Sequence, residues 1–408
     1  MSSSVEKRPE PSFHFQQYLN WAKNQNWLVI CALFILTVVL STPIYFRRII
    51  VPVDTDYGSH IRFVEQWLRG EGFEPLTASH PLLQYILIAM RFASRGRLNP
   101  YHALIIVQVA VHAATVLILY FWFGESSQPR WEVIRAFAAL SLTFVAPIML
   151  LAPLDGFYYF GYIGMANYHN PTIHLLKPVS LLSLMYAVRA IRGEDSNPLQ
   201  KALSAFWIIL STWIKPNYAL VILPGLALSA GIRLLRKEKV DFKMLVYGFA
   251  APAVSMLALQ WLVAYQFGDP GERIIFAPFQ VERSFSAFLP LKFLLSCAFP
   301  LVVLVIARRF LLRDSNLLVG WTIFAVGVAQ LYLLAEGGER LLHGNFRWSA
   351  QIGLFLLFAV MLRWFLQEGL FDKNLHWKAK LAAHASYLAH LGGGVVYYIY
   401  CMISVRYG

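Results

Sequence analysis

Two aspartates stand one residue apart in 51-VPVDTDYGSHIRFVEQWLRGEGFEPLTASHPLLQYI-86, just after a long apolar run. An Asp-x-Asp pair can share a metal ion, or one of its carboxylates can act as a general base. Asp54 and Asp56 are followed by His60, and His80 opens 80-HPLLQYI. A segment that only joins two apolar runs needs none of these groups.

Three further stretches carry chemistry. In 153-PLDGFYYFGYIGMANYHNPTIHLLKP, aromatic faces can stack on sugar rings. Asp155, Asn167, Tyr168, His169, Asn170 and His174 of that stretch can bond hydroxyls. An aromatic interface belt with a turn at Asn-Pro explains it equally well. His169 and His174 have no tight spacing with Asp155, which disfavours a metal held by this stretch alone. In 211-STWIKPNYALVILP, Lys215 lies deep in apolar surroundings and needs a partner; a phosphate is one, and snorkelling is the bland alternative. In 335-AEGGERLLHGNFRW-348, Arg340, His343 and Arg347 can hold a phosphate, and the glycines let backbone approach a ligand closely. The stretch 267–288, with Arg273 and Arg283, is a further candidate wall of the same site.

The elements that must position these groups are membrane helices. Of 408 residues, 58% are hydrophobic and only 14% charged, with mean hydropathy +0.54. Soluble chains carry about 25% charged residues. The apolar residues come in runs about as long as the roughly 20 residues that span a bilayer. Candidate spans are 27–47, 100–122, 133–152, 173–190, 203–214, 217–232, 244–265, 287–307, 317–335, 349–365 and 381–402. The polar tail 1–26 lacks a signal-peptide pattern and is expected in the cytoplasm. Residues 27–408 form one domain. Cys31, Cys297 and Cys401 are scattered and make neither a disulfide framework nor a metal pattern. The net charge of +13 suits anionic lipid heads better than nucleic acid, because no basic arm with interleaved aromatics is present.

The basic connections near 232–243, 307–315 and 373–380 place those loops in the cytoplasm. Counting back from them puts 47–99 and 336–348 outside and leaves no crossing for 81–95. That segment reads as an amphipathic helix on the outer surface, as does 60–70, where Ile61, Val64 and Leu68 share a face. The expected architecture is an all-α polytopic membrane protein with about 11 spans and interfacial helices in its first external loop. Most lysines then fall inside, but arginines such as Arg47, Arg62, Arg91, Arg340 and Arg347 fall outside. An arginine-rich outer face suits an anionic ligand.

A span, an external carboxylate, an interfacial helix, His80-Pro81-Leu82 and a second interfacial helix together resemble the first external loop of GT-C-fold glycosyltransferases. That superfamily includes the protein O-mannosyltransferases, the aminoarabinose transferases of lipid A and the oligosaccharyltransferases. The resemblance covers roughly residues 27–190. Leu82 replaces the second proline common in the family, and no acidic residue follows the aspartate. The resemblance implies a sugar donor on a polyprenyl phosphate, used with inversion in a single displacement. It also implies Asp56, or else Asp54, as the base that acts on a glycan, lipid or protein acceptor. His60, His80, Asp155, Tyr168, His169 and Asn170 would contact substrates, and Arg340, Arg347, His343 and Lys215 the donor phosphate. The pattern demands no cofactor; a Mg or Mn ion at Asp54, Asp56 and Asp155 is the one it leaves open.

The expected activity is sugar transfer at the outer face of a bacterial inner membrane. A transporter or flippase for an anionic lipid-linked glycan, or a polymerase of such glycans, would also need external cations.

Overall fold

The computed structural model describes residues 26–51, 55–125, 130–266 and 273–404. Asp54 and the tail 1–25 lie outside them. Helix α1 (Trp27–Ile50) is followed by the short helices α2 (Asp56–Leu68), α3 (Pro75–Ser79) and α4 (Leu82–Ala93). Then come α5 (Pro100–Trp122), α6 (Trp131–Leu142), the single turn α7 (Ala152–Asp155), α8 (Pro171–Arg192), α9 (Pro198–Ile214) and α10 (Asn217–Leu235). Helix α11 (Ala251–Trp261) is flanked by π-helical turns Met244–Ala250 and Leu262–Gln266. Strand β1 (Ile274–Phe276), α12 (Gln280–Arg283), α13 (Leu289–Ala307), α14 (Ser315–Leu333), β2 (Leu334–Glu336), α15 (Arg347–Trp364) and α16 (Trp377–Ile403) complete the order.

Among the described residues, eight helical stretches are long and apolar enough to cross a membrane. They are α1, α5, α8, α10, Met244–Ala264, α13, α14 and the run Gly338–Gly369 that contains α15. The chain is an all-α, multi-pass membrane protein. Lipid tails are as apolar as leucine, so close packing rather than water exclusion must hold such helices together. Glycines permit it here. A Cβ on Gly327 of α14 would lie 2.7 Å from the Ser349 carbonyl oxygen of α15, and one on Gly225 of α10 would lie 2.9 Å from Ile323 of α14. Helix α15 is buried on every face, and its sequence is apolar all round, as a central helix requires.

Helices α2 and α4 contain 13 and 12 residues. At about 1.5 Å per residue each is roughly 20 Å long, too short for a hydrocarbon core of about 30 Å. Ile61 and Val64 of α2 turn inward as the spacing predicts, joined by Tyr57, while Leu83, Leu87 and Ile88 are the buried apolar residues of α4.

The expected continuous helix over 133–152 is not what forms. Helix α6 stops at Leu142, and the chain runs on without helix before the short turn α7. Gly393 and Gly394 of α16 leave room for the carbonyls of Pro147 and Phe144, where a Cβ would collide. The His390 imidazole Nδ1 lies 2.8 Å from the Ala146 carbonyl, the His390 carbonyl accepts from Ala146 N at 3.2 Å, and Leu295 O accepts from Ile148 N at 3.0 Å. Non-helical backbone at membrane depth survives only when protein satisfies it in this way.

Candidate active site

The site is built from the turn that starts α8. Asn170 caps that helix, and Pro171 follows at its first position, where a missing N–H costs nothing. The Asn170 side-chain oxygen accepts from Ile173 N at 3.1 Å and from the Thr172 hydroxyl at 2.7 Å. The amide group of Asn170 is therefore turned outward, and its nitrogen donates to Asp56 Oδ2 at 2.6 Å. Asn167 steadies the turn by accepting from the backbone N–H groups of His169 and Asn170, at 3.1 and 3.0 Å. The Asp56 N–H donates to the His169 carbonyl at 3.0 Å. The start of α2 is thus stitched to the start of α8, which sets the carboxylate at a fixed place.

Lys215 arrives from α9. The following Pro216 forces extended backbone at Lys215, with φ −165° and ψ 127°, and ends the helix there. Lys215 is 9% exposed. Its ammonium donates to Thr172 Oγ1 at 3.3 Å and lies 5.1 Å from the centre of the Trp348 ring. No carboxylate lies at ion-pair distance from it among the described residues. Because the Thr172 proton goes to Asn170, the chain Lys215–Thr172–Asn170–Asp56 is continuous. It holds ammonium and carboxylate apart rather than letting them meet. Burial lowers the Lys215 pKa to about 8, although Asp56 and Glu336 pull it up.

The two arginines are anchored differently. Arg340 pairs with Glu336 at 2.8 Å, and Asn345 donates to the same carboxylate at 2.8 Å. Asn217 donates to the Asn345 carbonyl at 3.0 Å, tying this loop to the residues just after Lys215. Arg347 is buried and donates through Nη2 and Nε to Glu282 Oε1, at 2.7 and 3.2 Å. Its guanidinium also lies 4.6 Å from the Phe160 ring centre and 5.3 Å from that of Phe285. Its charge is thus matched by Glu282, a residue that spacing did not single out. The pairing of β1 with β2 brings α12, which carries Glu282, beside the start of α15, which carries Arg347.

These groups surround one cavity of about 670 Å³. Asp56, His60, His169, Asn170, Lys215, Arg340, His343 and Arg347, all named from the sequence, line it, together with Tyr159, Phe160 and Trp348. A second cavity of about 330 Å³ adjoins it, and Lys215, Arg340, Asn345 and Trp348 belong to both. His80 lies in this second space, whose other walls include the apolar Leu220, Leu257, Trp261 and Ile274. Trp261 and Ile274 are more than half exposed, so this chamber reaches the outside of the bundle. His60 Nδ1 lies 2.8 Å from the Gln84 amide, and His80 Nδ1 2.8 Å from Ser79 Oγ. Burial, then Lys215, then a further titratable or charged neighbour (the His80 imidazole for His60, Arg340 for His80) lower both imidazoles to about 3. Both are neutral at physiological pH. His169 is likewise pushed down, by burial and then by Arg48, Arg347 and Lys215.

Several named residues do not line the site, Asn167 and His174 among them. Asp155 forms an ion pair with Lys292 at 2.6 Å and accepts from Ser286 Oγ at 2.7 Å and Phe157 N at 3.1 Å. Burial raises its pKa, but Lys292, Ser286 and the Phe157 amide outweigh that and hold it below the usual carboxylate value. Tyr168 is fully buried, with its ring 5.8 Å from that of Tyr397. Arg273 and Arg283 line neither chamber. No protein-family model, no curated protein and no solved structure matches this chain.

The residues fit a divalent metal poorly. Among the described residues, no group of three His, Cys, Asp or Glu converges as a metal site. Asp155 is committed to Lys292, and the cavity around Asp56 is rich in cations. Thr172, Asn217, Glu282 and Lys292 were missed as supporting residues. The one local signal was Asn170-Pro171 before an apolar run, which marks a helix start as well as a turn.

Proposed function

We propose that this chain is a membrane glycosyltransferase of the GT-C type that moves a sugar from a polyprenyl-phosphate carrier to an acceptor hydroxyl. The observation that carries this reading is the buried ammonium of Lys215, with no carboxylate at ion-pair distance among the described residues, at the junction of a polar and an apolar chamber. The apolar chamber takes the first units of the lipid. Lys215 and Arg340 take the phosphate. The sugar lies in the polar chamber between the aromatic faces of Tyr159 and Trp348 and the carboxylate of Asp56. The acceptor oxygen attacks the anomeric carbon as the bond from that carbon to the phosphate oxygen breaks. Its proton passes to Asp56, and the lipid phosphate leaves with the electron pair, its charge met by Lys215.

This reading takes eleven crossings: the eight long helices, α9, α16, and α6 completed by the irregular segment to Leu151. The connections after α8, α10, α13 and α15, with the first turns of the helices that follow, lie at the helix ends away from the cavity and carry Lys201, Lys237, Lys239, Lys243, Arg308, Arg309, Arg313, Lys373, Lys378 and Lys380. By the positive-inside rule the cavity then opens to the outer face, in our reading that of a bacterial inner membrane.

The test is transfer from a purified lipid-linked donor by the Asp56→Asn variant. Loss of about 10²–10⁴-fold in rate is expected. A wild-type rate would refute the catalytic assignment. Movement of intact donor across vesicles without turnover would establish a flippase instead.

A further inference from the structure

A third cavity, of about 920 Å³, lies on the outside of the bundle between the start of α13 and the end of α14. Arg283, Phe279 and Ser286 line one end of it, and Phe293, Leu294 and Val328 the other. Leu289 to Phe293 is one helical turn, so these aromatic and aliphatic walls lie about 6 Å deeper along α13 than its first residue. Polar groups thus stand at the level of the helix ends, and apolar ones stand one turn into the membrane-spanning part.

Arg283 gives this groove its sign. It is exposed, and it has no carboxylate at ion-pair distance among the described residues. Its neighbour on α12, Glu282, is buried and is taken up by Arg347. The Arg283 guanidinium lies 5.5 Å from the centre of the Phe279 ring. Phe279 is held at φ 58°, a left-handed conformation costly for a bulky residue. Its ring lies 5.2 Å from that of Tyr332, and its N–H donates to the Tyr332 carbonyl. The strained residue thereby places an aromatic face directly under the cation. Arginine is suited to bidentate contact with phosphate oxygens.

We propose that this groove is a binding site for an anionic phospholipid, with its phosphate on Arg283 and an acyl chain against Phe293, Leu294 and Val328. The site is separate from the two chambers and does not rest on the proposed sugar transfer. Charge and depth match such a lipid together: one cation at the boundary, then an apolar trough parallel to α13.

The test is native mass spectrometry of delipidated full-length protein titrated with phosphatidylglycerol or phosphatidylcholine. The first phosphatidylglycerol should bind about tenfold tighter than phosphatidylcholine, because only it presents an uncompensated phosphate to the guanidinium. Arg283→Ala should abolish that preference, and Arg283→Lys should keep part of it. Phe293→Trp, which narrows the trough, should weaken both lipids. Equal binding of the two lipids, or an undiminished preference in Arg283→Ala, overturns the proposal. So does a dimer that Phe293→Trp dissociates, since a second copy would then be the occupant. Because Arg283 is exposed, its substitution leaves the fold intact, and loss of preference reports on the site itself.

Discussion

Asp155 with Lys292 and Asp56 with Lys215 are two versions of the same pair of residue types, wired in opposite ways. Asp155 touches Lys292 at 2.6 Å, and Ser286 and the Phe157 amide take up its remaining capacity. The pair closes on itself and clamps α7 and the loop after it to α13. Asp56 and Lys215 share a cavity, but Thr172 and Asn170 stand between them as a hydrogen-bonded bridge. A closed pair has spent its field on the fold. A held-apart pair keeps an acceptor at one end and a positive charge at the other, which is what a reaction that moves a proton and releases a phosphate requires.

The contrast yields a ranked set of expectations. Asp56→Asn should abolish transfer as described, whereas Asp155→Asn should leave the rate per folded molecule within a few-fold of wild type. Asp155→Asn should instead cost about 3 kcal/mol of stability, since it strands the buried Lys292. The double variant Asp155→Asn/Lys292→Met should recover part of that loss in a thermal unfolding series. An Asp155→Asn protein of normal stability and no activity would reverse the two roles.

Next in size, Lys215→Ala should lower kcat/KM for the donor by about 10²-fold, the usual effect of deleting one charge stabiliser. Its pH dependence has a definite sign. Burial lowers Lys215 to about 8, so the ammonium is present below that pH and lost above it. Donor affinity should therefore fall as pH rises through about 8, by up to about tenfold per unit, with the effect in KM because a bound phosphate restores the charge. Lys215→Arg should remove the inflection, since arginine stays charged. An unchanged inflection in that variant would assign it to another group.

The smallest effect concerns the support behind the bridge. The Tyr45 hydroxyl lies 3.1 Å from both His112 Nδ1 and His174 Nδ1, and His174 Nε2 bonds the Asn167 carbonyl. Tyr45→Phe should cost about 1 kcal/mol in thermal stability while preserving the rate.

Much of the candidate site was readable before the fold was known. Carboxylates just past the first apolar run, a lysine before proline inside apolar sequence, and arginines and a histidine in a late loop are each unusual in a membrane chain, where a charge is costly without a purpose. Asp56, Lys215, Arg340 and Arg347 were found for that reason. What spacing could not reveal was pairing. Glu282 lies 65 positions from Arg347, and Lys292 lies 137 positions from Asp155. Only β1 against β2, and the second loop against α13, make them neighbours. The irregular segment after Leu142 was equally hidden, because its composition is as apolar as a helix and its carbonyls are accommodated by glycines 250 residues away.

Composition and run length alone determined that this is a helical, multi-pass membrane protein, while the count of crossings from the basic connections set 81–95 apart from its spans. Hydrocarbon tolerates only backbone whose polar groups are satisfied, so long apolar runs fold as helix except where, as after Leu142, neighbouring protein satisfies the backbone. Which charges are spent and which remain available was decided by tertiary structure. A charge's free energy depends on what stands within a few ångströms of it, and for Arg347 and Asp155 the partners come from elements distant in sequence.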